Sequence, residues 1–475
     1  MKVPFIDRQI SKKRLELKKK FKKERDSKVA DLPTFKELPE LPLNVEEIND
    51  LIKSHAKTDI CKWQDGCASG CIYTVDNDIS TILKQVAESF EHGNPLHVDL
   101  FPGLLKMEAE VTHMVSKLFN GNDETVGTVT SGGSESLILA VKTYREYYRK
   151  TASINPIDIC LVAPESIHPA VIKACHYFNI RPILVKVNST TKKVESTSLY
   201  NALNNRTCAI FLSAPNYSYG VVDPVEELCK LLRNSKFCSV PVHVDACLGS
   251  FVVPFLNHLE VFDFRLPEVT SISCDTHKYG LAAKGTSVVV YRNSNIAENQ
   301  VFAYGSWSGG IYATPNISGS RSGLLIAACW ATMLRIGRQQ YGKKALELYA
   351  VSKELANGLE NIGFTLLAEV ETCVVSATCD HCHAYLDQMK SLGWYLATLQ
   401  DPIGFHIVLT ELHLQKGVIQ KFLSDSVNAM EIANSHNNNI PLSDMAVLYG
   451  TNAMLPDRSI TEDIAKDYII SFYEH

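Results

Sequence analysis

Short apolar, β-branched runs recur along the middle of this chain: Ile159–Val162, Pro182–Val187, Cys208–Ser213, Val240–Asp245, Val269–Ser273 and Ser287–Tyr291. Each is short for a helix, and none shows the strict polar alternation of a half-exposed strand. Segments with helical character lie between several of them: HPAVIKACHYF, STSLYNALNN and VEELCKLLRNS. Strands that are apolar on both faces need helices packed on both sides, and their connections then make the sheet largely parallel. The expected fold class is therefore α/β, a mostly parallel sheet sandwiched by helices. In such sheets ligands bind at the carboxyl ends of the strands. From about residue 341 amphipathic helices and weaker strands predict a smaller α+β domain. The expected organisation is 1–92 (arm, linker and helical segment), 93–340 (large domain) and 341–475 (small domain).

Composition narrows the class. The chain has 475 residues, 45% hydrophobic and 21% charged, which excludes collagenous, coiled-coil and mainly disordered proteins. A net charge of -5 argues against nucleic acid as a partner. That average hides a basic arm, since residues 1–26 carry eleven Lys and Arg against four acids. Such an arm is a solvated tail or a segment drawn to anionic membrane surfaces. The Pro-rich DLPTFKELPELPL that follows reads as an extended linker. The start shows no apolar signal region, so the fourteen cysteines read as reduced thiols. The run LLIAACWATMLRIG is too short to span a bilayer and reads as a core helix. The expectation is a chain without a transmembrane segment, cytoplasmic or peripheral at a membrane surface.

Three stretches carry chemistry. In GTVTSGGSESLILA (127–140) a β-branched strand turns through Ser131, Gly132 and Gly133 into a long helix. Free N–H groups and close-approaching glycines at a positive helix end suit a phosphate, although a Gly-rich turn capped by Ser134 explains the same residues. In HVDACLG (243–249) a strand ends on Asp245. A carboxylate there can hold a proton on a heterocyclic nitrogen, cap a turn or bind a metal. In SCDTHKYGLAAKG (273–285) Lys278 follows a strand beside His277 and Asp275. It is either a solvated loop lysine or one engaged covalently with a carbonyl.

A phosphate cradle, an Asp at one strand end and a Lys at a later one occur in the order used by fold type I enzymes of pyridoxal 5'-phosphate (PLP). The resemblance is specific. HGNPLHVDLFPG (92–103), SAPNYSYG (213–220), WSGGIYATPNISGSRSG (307–323) and the three stretches above resemble the sphingosine-1-phosphate lyases, within the group II decarboxylase-like PLP family. The similarity runs from about residue 60 to MAVLYGTNAML (445–455).

The resemblance implies roles residue by residue. Lys278 matches the lysine that carries PLP, Asp245 the partner of the ring nitrogen, and His168 the residue stacked on the ring. Ser131, Gly132 and Gly133 match the phosphate cradle, with Ser213, His243 and His277 lining the same site. Gly309 and Gly310 match a loop that reaches the neighbouring subunit's cofactor phosphate, which implies a homodimer with composite sites. Tyr73, Asn94, His97, Lys284 and Arg321 match positions around the substrate's phosphate and head group. The implied reaction is retro-aldol cleavage of a phosphorylated sphingoid base to a fatty aldehyde and phosphoethanolamine. The base at the C3 hydroxyl stays open among Lys278, Tyr73 and a histidine.

Some positions depart from the family. Ser134 stands where Thr is common and Ser322 where Pro often follows Gly-Ser-Arg, both conservatively. The membrane helix of eukaryotic members has no counterpart here. Cys61, Cys67 and Cys71 crowd the segment before Tyr73 without an assigned role. The run from Cys379 to His383 resembles a metal site but lacks a second spaced pair, so no metal is expected. Two other functions stay open: a PLP-dependent amino-acid decarboxylase, which would not need Lys284 and His97, and a non-catalytic lipid-binding scaffold, against which the intact Lys278, Asp245 and His168 set argues.

Overall fold

A computed structural model describes residues 4–58, 62–152, 158–435 and 459–474. Its centre is a seven-stranded sheet. The strands are β1 (Val126–Thr130), β2 (Cys160–Pro164), β3 (Arg181–Val185), β4 (Thr207–Ser213), β5 (Val242–Asp245), β6 (Val269–Cys274) and β7 (Ser287–Tyr291), in the order β1-β7-β6-β5-β4-β2-β3. Strands β2 to β6 are parallel, and β7 runs antiparallel to both β6 and β1.

Successive residues of a strand point to opposite faces, and here both faces are core. On one side Leu161, Ala163, Phe211, Val289 and Tyr291 pack with Leu137, Ala140 and Tyr144 of helix α5 (Gly133–Thr151). On the other, Val162, Ile210, Leu212, Val244, Ile272, Val288 and Val290 join a larger core. That core includes α4 (Pro102–Leu118), α8 (Val225–Arg233) and α10 (Gly323–Ile362), and the short α7 (Ser196–Ala202) covers the same side. Every residue of β2, β4, β5 and β7 is buried, so the apolar runs without alternation are explained. Each such side chain contributes about 1.5–3 kcal/mol on burial. Helix α6 (Pro169–Phe178) follows β2 and packs on α5, and the short α9 (Ser294–Ala297) follows β7.

The strands β8 (Phe302–Trp307) and β9 (Gly310–Thr314) form a separate hairpin that stands almost wholly in solvent. Helix α10 then runs 40 residues with a break at Gly337 (φ 68°), so the expected boundary at 340/341 falls inside one element. Beyond it, β10 (Thr365–Leu366), β11 (Val374–Thr378), β12 (Ala397–Leu399) and β13 (Gly404–Val408) form an antiparallel sheet, covered by α11 (Cys382–Ser391) and α12 (Val418–Ser435). The MAVLYGTNAML segment lies outside the described residues.

At the other end, α1 (Pro4–Lys28) pairs with α13 (Ser459–Ser471). Phe21 is buried edge-on against Tyr468 at 4.9 Å, and Arg14 bonds Asp463 and Asp467. Lys18 pairs with Glu474, and Arg25 reaches the carbonyls of Ser471 and Glu474. Part of the arm's charge is thus matched within the chain. Helix α2 (Val45–Thr58) buries no residue, whereas α3 (Asn77–Phe90), capped by Asp76, packs on α10. Among the described residues no helix is long and apolar enough to cross a membrane.

Candidate active site

The carboxyl ends of β1, β2, β4, β5 and β6 lie along one edge of the sheet, and the loops leaving them enclose a cavity of about 370 Å³. After β1 the chain turns through Ser131 and Gly132 into α5. Thr130 Oγ1 lies 2.7 Å from Ser136 Oγ, which is 2.9 Å from Ser287 Oγ, so hydroxyls pin this turn to β7. A Cβ at Gly133 would lie 2.8 and 2.9 Å from the carboxylate oxygens of Asp275 and 3.0 Å from Cys247 Sγ. Only glycine fits there. Glu135, at the first turn of α5, accepts from the Ser131 N–H at 2.6 Å and from Ile317 N at 3.0 Å.

His168 lies just beyond β2 and caps α6, its Nδ1 accepting from Ala170 N at 3.1 Å. That bond fixes the ring, which forms one wall of the cavity opposite Tyr217. Ser213 ends β4, and its N–H donates to Asp223 Oδ2 at 2.8 Å. Asp245 ends β5 and is buried. Its Oδ1 accepts from Cys247 N at 3.0 Å and from Ser273 Oγ at 3.2 Å.

The loop after β6 supplies the cation. Lys278 Nζ lies 2.9 Å from Asp275 Oδ2, and His277 Nε2 is 3.7 Å from the same oxygen. Burial alone would lift the Asp275 pKa, but Lys278, with His277 beyond it, holds it below the ordinary carboxylate value. Burial likewise works against the Lys278 ammonium, and Asp275 overcomes it and raises the pKa. The His277 ring is pushed down by burial, with Asp275 opposing, while its Nδ1 faces the Thr286 carbonyl.

Tyr73 and Lys284 come together beside Lys278, though neither lines the 370 Å³ cavity itself. The Lys284 ammonium sits 4.7 Å over the Tyr73 ring, and Tyr73 meets Tyr279 edge-on at 4.9 Å. Burial raises the Tyr73 phenol well above its ordinary value, against the pull of Lys278. Burial also lowers the Lys284 ammonium.

Other expected residues are placed differently. His243 does not line the cavity: it is fully buried beneath Asp245, between Ser271 and Ser273. Arg321 does not line this cavity: its guanidinium grips Glu108 with two bonds (2.5 and 2.9 Å) and reaches the Val129 carbonyl, beside a smaller pocket that it shares with Ser131 and Glu135. Asn94 is engaged with Ser320 Oγ and the Arg321 N–H, and His97 is exposed, so neither reaches this chain's own cavity. Gly309 and Gly310 sit at the tip of the exposed hairpin, equally outside it. Cys61 lies outside the described residues, Cys67 is buried and Cys71 exposed. Among the described residues no group of three or more His, Cys, Asp or Glu could hold a metal.

Asp275, Glu135 and Tyr217 were not singled out as site residues from the sequence. The spacing Asp-x-x-Lys in one loop is the signal that could have marked Asp275. A larger apolar cavity of about 650 Å³, between α4 and α10, holds none of these groups.

Amine, carboxylate, imidazole and glycine cradle all face one space, and the set fits PLP. The N–H groups at the α5 end suit its phosphate, Asp245 its ring nitrogen, Lys278 its aldehyde and His168 its ring face.

Comparison with known proteins follows the same line. Residues 33–379 match the pyridoxal-dependent decarboxylase conserved domain. A sphingosine-1-phosphate lyase of Drosophila melanogaster is 37% identical over 99% of this chain and 87% of its own length. The structure of a Burkholderia pseudomallei sphingosine-1-phosphate lyase superposes with a TM-score of 0.81 at 32% identity, covering 86% of this chain and 95% of that one. A glutamate decarboxylase of Lactobacillus brevis shares the fold at 20% identity, with a TM-score of 0.74 over 86% of this chain and 96% of that one.

Proposed function

This chain belongs to the sphingosine-1-phosphate lyase family of PLP-dependent enzymes, and on that premise we propose how its residues divide the work. The reaction is cleavage of sphingosine 1-phosphate at the C2–C3 bond, giving a fatty aldehyde and phosphoethanolamine. PLP, when bound, supplies the electron sink that breaking a carbon–carbon bond beside an amine requires. Lys278 Nζ holds the cofactor through its aldehyde carbon, and the cradle of Ser131, Gly132 and Gly133 anchors its phosphate. Asp245 keeps a proton on the ring nitrogen, and His168 covers one ring face. Ser213 and His277 border the same cavity.

The substrate's own phosphate needs a second cation. Lys284 is the group supported for that role, since its ammonium lies near the Lys278 end of the site and, among the described residues, no carboxylate pairs with it directly. Tyr73 sits beneath it with a phenol that burial keeps protonated. It is suited to hold the C3 hydroxyl by a hydrogen bond rather than to take its proton.

The hairpin of β8 and β9 exposes Phe302, Tyr304, Trp307 and Ile311. An apolar tongue of this kind suits burial against a second copy. In our reading it carries Gly309 and Gly310 to the partner's site, and Asn94 and His97, in the loop before α4, face that site from outside the hairpin. The basic character of α1 makes contact with an anionic membrane a further proposal.

The observation that carries this reading is the convergence of Lys278, Asp245, His168 and a glycine-only cradle on one cavity. Release of a long-chain aldehyde from a phosphorylated sphingoid base tests it. Carbon dioxide from an amino acid, with no aldehyde, would instead indicate a decarboxylase.

A further inference from the structure

A parallel sheet covered on both faces is ordinarily lined by Val, Ile and Leu. Beneath Asp245 this one is not. In register with β5, His243 lies between Phe211 of β4 and Ser271 of β6, and Asp245 between Ser213 and Ser273. His243, Ser271 and Ser273 are fully buried, as is Tyr144 of α5 behind them. Four polar side chains in the dry core need a complete set of hydrogen bonds.

They have one, and it runs in a single direction. Ser273 Oγ donates to Asp245 Oδ1 at 3.2 Å, so its oxygen is left to accept from His243 Nε2 at 3.1 Å. His243 Nδ1 must then be the acceptor, from Ser271 Oγ at 2.7 Å, and Ser271 in turn accepts from Tyr144 Oη. Thr270 Oγ1, 2.7 Å from Tyr144 Oη and itself donating to the Val242 carbonyl at 3.2 Å, ends the series. In the opposite sense a serine lone pair would face the carboxylate. Burial holds the imidazole neutral, its pKa pushed down to about 3, so the ring works as a fixed dipole and not as a second charge. Phe211, its ring 4.5 Å away and tilted by 33°, packs against it.

We propose that His243 is a positioning residue for the reaction: acting through Ser273, it holds Asp245 Oδ1 and leaves Oδ2 as the acceptor aimed at the cofactor's ring nitrogen. Tyr144 and Ser271 fix the tautomer that does this. This rests on the reading of Asp245 as the ring-nitrogen partner.

The test uses the holoenzyme loaded with PLP carrying nitrogen-15 in its ring, whose resonance reports whether that nitrogen is protonated. Wild type, Ser273→Ala, His243→Phe and His243→Gln are compared, with kcat and KM for each. Ser273→Ala removes one oxygen and leaves the packing intact. His243→Gln keeps an N–H donor toward Ser273. The expected result is a protonated ring in wild type and a resonance moved toward the neutral value in Ser273→Ala and His243→Phe. kcat should fall about tenfold for each unit by which the ring nitrogen's pKa drops, with KM little changed. His243→Gln should stay close to wild type. Ring-nitrogen signals that coincide across all four proteins, while kcat or thermal stability falls, overturn the relay and leave His243 a structural residue. A wild-type protein that takes up PLP with a neutral ring nitrogen, or takes up none, overturns the reading of Asp245 and the relay with it.

Discussion

Lys278 Nζ and Asp275 Oδ2 lie 2.9 Å apart within one loop, with the carboxylate almost wholly buried and the amine at the cavity wall. The pair settles two needs of the site. It makes a buried carboxylate tolerable. It also holds the lysine in the cavity as an ammonium. The cost is reactivity, because only the neutral amine attacks an aldehyde.

Asp275→Asn removes the charge that raises the Lys278 pKa, so the neutral amine should form at lower pH. The rate at which cofactor-free protein captures PLP, followed by absorbance across pH 6–10, should shift to lower pH by about one unit or more. Superimposable profiles would show that Asp275 does not control the amine.

Gly133→Ala puts a methyl group 2.8–3.0 Å from the buried side chains of Asp275 and Cys247, the first of them held by Lys278. PLP should dissociate at least about tenfold more readily, the outcome expected of about 1.4 kcal/mol of strain. Ser134→Thr, which restores the residue common in the family, should leave retention unchanged. Equal retention in all three proteins would contradict the cradle.

The carboxyl of Asp223 is pushed up to about 7 by burial, against the Ser213 N–H that favours its ionised form. The folded chain therefore binds this proton more tightly than the unfolded one, whose carboxyl titrates near 3.8. The stabilisation is full below pH 4 and is lost as pH rises through 7, a change of about 4 kcal/mol. Asp223→Asn should gain thermal stability relative to wild type over that window. Parallel curves from pH 4 to 9 would refute the assignment.

The exposed hairpin predicts complementation. Lys278→Ala leaves a subunit without its amine but with an intact hairpin, and Gly310→Val strains a hairpin tip whose φ is 106°. If the tip serves the neighbouring site, mixing the two inactive proteins should restore activity, since one site in the mixed dimer then has both parts. A mixture no more active than its components would confine the site to one chain.

Much of the large domain was legible because its strands are buried on both faces. A run such as Thr207–Ser213 has no amphipathic reading to confuse with a helix. Asp245 and Lys278 stood out as charges at the ends of such runs, but only the family resemblance chose among the roles open to them. The ion pair of Arg321 was not legible, because its partner Glu108 stands 213 residues away and nothing local announces it. His243 was placed in the cavity because it stands two residues before Asp245. The same alternation carries it down into the core, where Ser271 and Ser273 from another strand receive it. The hairpin tip is the converse case, since the role proposed for it needs a second copy of the chain.

The most direct measurement is aldehyde release from a phosphorylated long-chain base by PLP-loaded wild type and Lys278→Ala, with absorbance of the bound cofactor recorded on both. The account predicts long-chain aldehyde and phosphoethanolamine in equal amounts from wild type, and neither product nor the lysine-linked cofactor band from the variant. Carbon dioxide without aldehyde from wild type, or aldehyde release undiminished in Lys278→Ala, would contradict it.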